Sequence, residues 1–175
     1  MESKVAEIKS KNLSQLQVFQ EWDKLHSWSS FHESHYDWWA FPIDEPSLYG
    51  MDYFIDSREV LECLLNDKEF IESLRQCVML VARSWGWDLS HGPISKHDPD
   101  QKWANWPVRL YKMGVSCLLF QQFDLFQSLQ NLAKWLAMNH ISLEFHFSLL
   151  LPLDPSHKMI SVVRQWEEKK KRLNA

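Results

Sequence analysis

The densest run of side chains able to do chemistry is His32-Glu33-Ser34-His35-Tyr36-Asp37-Trp38-Trp39-Ala40-Phe41-Pro42-Ile43-Asp44. On a helical turn His32 and His35 could face one cation, with Asp37 or Asp44 completing a nitrogen and oxygen shell. The spacing departs from the H-E-x-x-H of zinc proteases, which puts two residues between Glu and the second His, so hydrogen-bonded or solvated imidazoles are the plainer reading. Asp37 and Asp44 are candidates for paired acid–base work, although the proline-containing loop between them sets no distance. No G-x-S-x-G, P-loop or G-x-G-x-x-G occurs, so no motif names a reaction, and no cofactor or metal is expected.

The tryptophans carry more position information than the histidines. Eight of the ten fall between residues 22 and 106, several of them in or beside loops. Indole is large, flat and in need of a partner for its N–H, so a loop Trp either pins the loop to the core or walls a groove. The groove reading gathers Trp38, Trp39, Trp87 and Trp106 around a polar set of His35, Asp37, Asp44, Asp88 and Arg109. Such a site could stack a base, a sugar or a peptide side chain. Arg109 follows Pro107 at an expected helix start, where guanidinium and backbone N–H groups could together hold an anion. A structural ion pair to one of the Asp residues is the alternative for it.

Composition bounds what such a site can serve. The chain has 175 residues, 45% of them hydrophobic and 24% charged, which suits one globular domain over 1–175 with a packed core. A count of 19 Lys and Arg against 23 Asp and Glu gives −4, so capture of a nucleic-acid backbone is not expected. The basic run Lys169-Lys170-Lys171-Arg172 follows Glu167-Glu168 and reads as i,i+4 pairs on a solvated helix face. Cys63, Cys77 and Cys117 are widely spaced in apolar helical patterns and read as buried thiols of a reducing compartment. No apolar stretch of signal-peptide or membrane-spanning length is present, so a cytoplasmic protein without a membrane partner is expected. A protein or small-molecule partner is left open, as is the oligomeric state.

The elements that must position these residues read as mostly helical. Residues 1–12 read as a tail or first helical turn. Leu13, Leu16, Phe19, Trp22 and Leu25 suggest a helix with a polar back that includes Gln15 and Gln17. Residues 28–56 form an aromatic connecting segment with one short strand at 51–55. Asp56-Ser57-Arg58-Glu59 has capping-box form before Val60, Leu61, Leu64 and Leu65. Asn66 or Asp67 can cap a second helix whose face includes Phe70, Leu74, Cys77, Val78 and Val81, ended by Gly86. After a loop at 88–105, Pro107 opens a helix carrying Val108, Tyr111, Val115, Leu118 and Leu119. A break near Gln122 precedes a helix carrying Phe126, Leu129, Leu132, Ala133 and Leu136. Alternation at 141–151 reads as a strand that would pair with 51–55, and Asp154-Pro155 opens a last helix over 154–173. The expected fold is a mainly α bundle of about six helices with a small two-stranded antiparallel sheet.

The segment Tyr36-Asp37-Trp38-Trp39-Ala40-Phe41-Pro42-Ile43-Asp44-Glu45-Pro46 resembles the aromatic-x-x-W-x-F-P-x-x-E-P signature of the opioid growth factor receptor conserved domain. A helix ending in Trp22-Asp23, an Asp67-Lys68-Glu69-Phe70 helix start and the Trp85-Gly86-Trp87-Asp88-Leu89 turn run parallel to that family, over roughly residues 15–136. The resemblance implies an all-helical domain found in bacteria, fungi and animals, with the Trp38–Pro46 loop as its characteristic element. The animal protein is described as a receptor for a small opioid peptide. The alternating 141–151 segment and the extra Trp depart from the family, so hormone binding is not carried over. The reading that results is a soluble binding or protein-interaction domain with an aromatic groove at the W-x-F-P loop. The competing reading is an enzyme acting on a nucleotide or sugar phosphate held by Arg109, with Asp or His groups as acid and base.

Overall fold

With no Gly or Pro before Pro42, the first 24 residues meet no helix breaker, and a computed structural model places helix α1 over Glu2–Lys24. The structure describes residues 1–44, 54–104, 106–139 and 141. Residues 2–12 are therefore helical, contrary to the expected tail or single turn. The inward stripe of α1 is Ile8, Asn12, Gln15, Leu16 and Phe19. It corrects the three-step stripe: at about 100° per residue each step of three slips by about 60°, so five such positions sweep about 240°. Leu16 and Phe19 face the core, whereas Leu25 is exposed and Gln15, assigned to the polar back, is buried.

The aromatic segment contains two short helices that its irregular pattern did not indicate, α2 at Trp28–Glu33 and α3 at Asp37–Ala40. Helix α4 spans Arg58–Leu65, and its cap is Ser57, one residue later than the expected Asp56; the Ser57 hydroxyl accepts from the Val60 N–H. Helix α5 spans Lys68–Ser84 and is capped by Asp67, whose carboxylate accepts from the Phe70 N–H. Its inner face of Phe70, Leu74, Cys77, Val78 and Val81 lies against α1. Gly86 follows with φ +77, the left-handed turn that ends the helix.

Strands β1 (Trp87–Asp88) and β2 (Gly92–Pro93) form an antiparallel hairpin, with Trp87 opposite Pro93 and Asp88 opposite Gly92. The fold is thus mainly α with a small two-stranded sheet, but this sheet lies at the start of the expected 88–105 loop, from Trp87 to Pro93. The expected pairing of 51–55 with 141–151 lies, except for Phe54, Ile55 and Ile141, outside the described residues, as do the 154–173 helix and the 169–172 basic run. Within what is described, the Ile55 N–H donates to the Ile43 carbonyl at 2.8 Å.

Helices α6 (Pro107–Leu119) and α7 (Phe123–Met138) form the expected hairpin, with Pro107 in the first turn and Gln121 at φ +57 in the break. In α6 every residue from Met113 to Leu119 is buried, while Val108 and Tyr111 are only half-buried. One contiguous apolar core joins the seven helices among the described residues. At its α1 end, Phe19 stacks on Phe31 at 5.2 Å and meets Tyr36 edge-on at 4.5 Å. Among the described residues no helix is long and apolar enough to cross a membrane.

Candidate functional site

The site forms where α2 ends. The last carbonyls of a helix lack partners within it, and three side chains supply them here. Arg109 Nη1 donates to the Phe31 carbonyl at 2.9 Å and Nη2 to the Ser34 carbonyl at 2.8 Å. The Tyr36 hydroxyl also donates to the Phe31 carbonyl, and the Trp106 indole N–H donates to the His32 carbonyl at 2.8 Å. The guanidinium carbon lies 4.1 Å from the Tyr36 ring centre and 4.6 Å from that of Trp106, so two aromatic rings lie within cation–π reach of it. Arg109 is 0% exposed. Burial lowers its pKa, and burial raises that of the Tyr36 phenol.

Asp37 opens α3 and is buried, with one carboxylate oxygen 3.9 Å from Arg109 Nη2 and the other accepting from Lys112 Nζ at 2.8 Å. Lys112 is three residues after Arg109 on α6, hence on the same side of the helix. Its ammonium group lies 4.6 Å from the Trp38 ring centre. His35 is exposed and its ring lies 5.9 Å from Trp106, edge to face, and 6.4 Å from Trp38. Trp38 and Trp106 are each half-buried. The result is an outer face of His35, Trp38 and Trp106 backed by Lys112, over an inner layer of Asp37, Arg109 and Tyr36. Two cations against one carboxylate leave it one positive charge.

Five of the nine residues expected at the groove, His35, Asp37, Trp38, Trp106 and Arg109, meet at this junction of α3 and α6. Trp39 turns towards α1, where its indole N–H donates to Gln15 Oε1 at 2.7 Å. Beside it the Asn12 amide donates to the carbonyls of Trp39 and Ala40, while its oxygen accepts from the Ser73 hydroxyl. Trp87 packs on α7, with its N–H donating to the Ser128 hydroxyl at 3.1 Å and its ring 6.0 Å from Trp135. Asp88 accepts from the N–H groups of Ser90 and His91 and so closes the hairpin turn. Asp44 is half-buried beyond α3.

The Arg109 Nη groups are turned to the Phe31 and Ser34 carbonyls, not to open solvent where an anion could reach them. Lys112 and Tyr36 are the site residues missed in the sequence; the available signal was the i,i+3 spacing of two cations on one expected helix. Among the described residues no group of three His, Cys, Asp or Glu is placed to hold a metal ion. His32 Nε2 instead donates to the Asp100 carbonyl at 2.8 Å. Of the three thiols expected to be buried, Cys77 and Cys117 are, whereas Cys63 is exposed on the outer side of α4. No protein-family model, no curated protein and no solved structure matches this chain.

Proposed function

We propose that the chain is a small binding or protein-interaction domain that recognises its partner through the His35–Trp38–Trp106 face. The observation that carries this reading is two half-buried indoles and an exposed imidazole held around the Lys112–Asp37 pair by a fully enclosed arginine. Such a face has rigid ring surface and one excess positive charge, which suits an apolar or aromatic group with a neighbouring acidic one. The half-buried rings lose little freedom on binding because Arg109 and the α2 carbonyls already fix their neighbours. This reading agrees with the role of the Trp38–Pro46 loop as the characteristic element of the opioid growth factor receptor conserved domain, and it transfers no ligand from that family. Unpaired thiols in an oxidising compartment would be unusual, so the proposed location is the cytoplasm.

The test is a screen of acidic and aromatic peptides against the full chain by tryptophan fluorescence and thermal shift. Binding to the native state raises apparent stability by mass action. Trp38→Ala should abolish the response and leave far-UV circular dichroism unchanged. A ligand whose affinity is equal in wild type, Trp38→Ala and His35→Ala would overturn the assignment of the face.

A further inference from the structure

A second recess lies away from Arg109, where the segment after α1, the start of α2, the last turn of α5 and the 94–101 loop meet. It is a cleft of about 580 Å³ whose lining includes His26, Trp28, Arg83, Lys96, His97 and Asp98. This size falls in the range of small-molecule sites.

The fold fixes its walls. The Ile94 N–H donates to the Gly86 carbonyl at 2.9 Å, and the Gln101 side-chain amide to the Arg83 carbonyl at 2.8 Å, so the loop is tied at both ends to the end of α5. A Cβ on Gly86 would stand 2.9 Å from the Gln101 carbonyl oxygen, so glycine permits the approach. His26 is held at φ +52, a left-handed conformation uncommon outside glycine, with Nδ1 3.1 Å from Asp98 Oδ2.

Asp98 is the only carboxylate among the described lining residues, and it is already engaged. Its Oδ2 accepts from the Trp28 indole N–H at 2.7 Å and also faces His26; chiefly the Trp28 bond holds the carboxyl below the usual range. Arg83 is half-exposed and reaches Asp23, outside the lining, at 3.4 Å. Lys96 has no partner among the described residues. The lining therefore offers N–H donors and, with Arg83 and Lys96 against the one carboxylate of Asp98, one excess positive charge, while Asp98 Oδ2 is already engaged. Trp28 is 3% exposed and supplies a floor, not a stacking face, so recognition here rests on charge and hydrogen bonds.

We propose that this cleft binds a phosphate monoester, its phosphate taken by Arg83 and Lys96, its ester portion lying along His26 and His97. A phosphate carries about two charges and three strong acceptors, which matches several separate donors better than one carboxylate does. The cleft also has room for the group the phosphate esterifies.

The full chain is titrated separately with adenosine monophosphate, ribose 5-phosphate and inorganic phosphate. Calorimetry gives the affinity, and proton–nitrogen correlation spectra follow the Trp28 indole N–H. The expected result is saturable binding of at least one ester, tighter than inorganic phosphate, that moves the Trp28 signal. Lys96→Ala and Arg83→Ala should each weaken it about ten-fold or more, as for loss of a charge-assisted hydrogen bond. Lys68→Ala, an exposed lysine at the far end of α5, and Trp38→Ala should leave it unchanged. No saturation up to about 10 mM, inorganic phosphate binding as tightly as the esters, or equal affinity in both cleft variants would each overturn the proposal.

Discussion

Position 109 shows what a buried cation requires. The Arg109 guanidinium is fully enclosed, yet both Nη groups have carbonyl acceptors and two rings lie within 4.6 Å of its carbon, while its buried Nε has no hydrogen-bond partner among the described residues. A lysine there would keep the charge but could not span the Phe31 and Ser34 carbonyls while keeping the contacts with the Tyr36 and Trp106 rings. Arg109→Lys is therefore expected to cost about 3 kcal/mol, read as a lowered urea midpoint with the m-value unchanged. Loss below about 1 kcal/mol would mean that the α2 carbonyls find water instead. The thiols offer a second check at this scale. Burial pushes the Cys77 thiol up to about 12 and raises that of Cys117, whereas Cys63 is exposed. In native buffer one of the three thiols should react promptly with Ellman's reagent, and all three after denaturation.

At the scale of elements, caps and cross-links between helices decide where each one starts and what it faces. Asp67 caps α5 and also accepts from Lys9 of α1 at 2.8 Å, so Asp67→Ala should cost about 1 kcal/mol for the cap alone. Ser57→Ala, which removes a longer 3.3 Å cap on α4, should cost less when both are measured by chemical denaturation. Arg75 of α5 ties α7 through two bonds to Asp124, at 3.0 and 2.6 Å. Those bonds hold the Asp124 carboxyl below the usual range. A carboxyl depressed on folding adds stability that is present above its unfolded value, about pH 4, and is lost as pH falls through the folded value. Asp124 is largely exposed, so the discounted contribution is only about 0.5 kcal/mol. Asp124→Asn should lower the melting temperature at pH 7 and leave it nearly unchanged at pH 2. Part of the helix pattern was legible beforehand: Asp67, Gly86, Pro107 and the apolar face of α7 can all be read from the chain, whereas the start and the inward stripe of α1 were misread. Helices α2 and α3 were not, because helices of six and four residues are too short to display a period and are held by Arg109, Asn12 and Trp106 from elsewhere.

Across the whole molecule the aromatic residues join elements that local preference alone would leave apart. Phe19 brings α1 against Phe31 of α2 and Tyr36 ahead of α3. Phe19→Ala should cost about 3–5 kcal/mol, seen as a lower melting temperature and a weakened near-ultraviolet signal. Equal stability would show that the three helices dock independently of that ring. By itself the sequence determined the helical class, most helix ends and a concentration of aromatic and charged groups around residues 35–44 and 106–109, since these follow from period, capping chemistry and composition. Only the tertiary structure decided the use of each group. Arg109 faces the α2 carbonyls, Trp39 faces Gln15, Trp87 faces Ser128, and Lys112 joins Asp37. A side chain's type states which bonds it can make, but the partner that satisfies it lies 24 to 78 residues away in these pairs. That choice is made by packing, when burial removes water as the alternative partner.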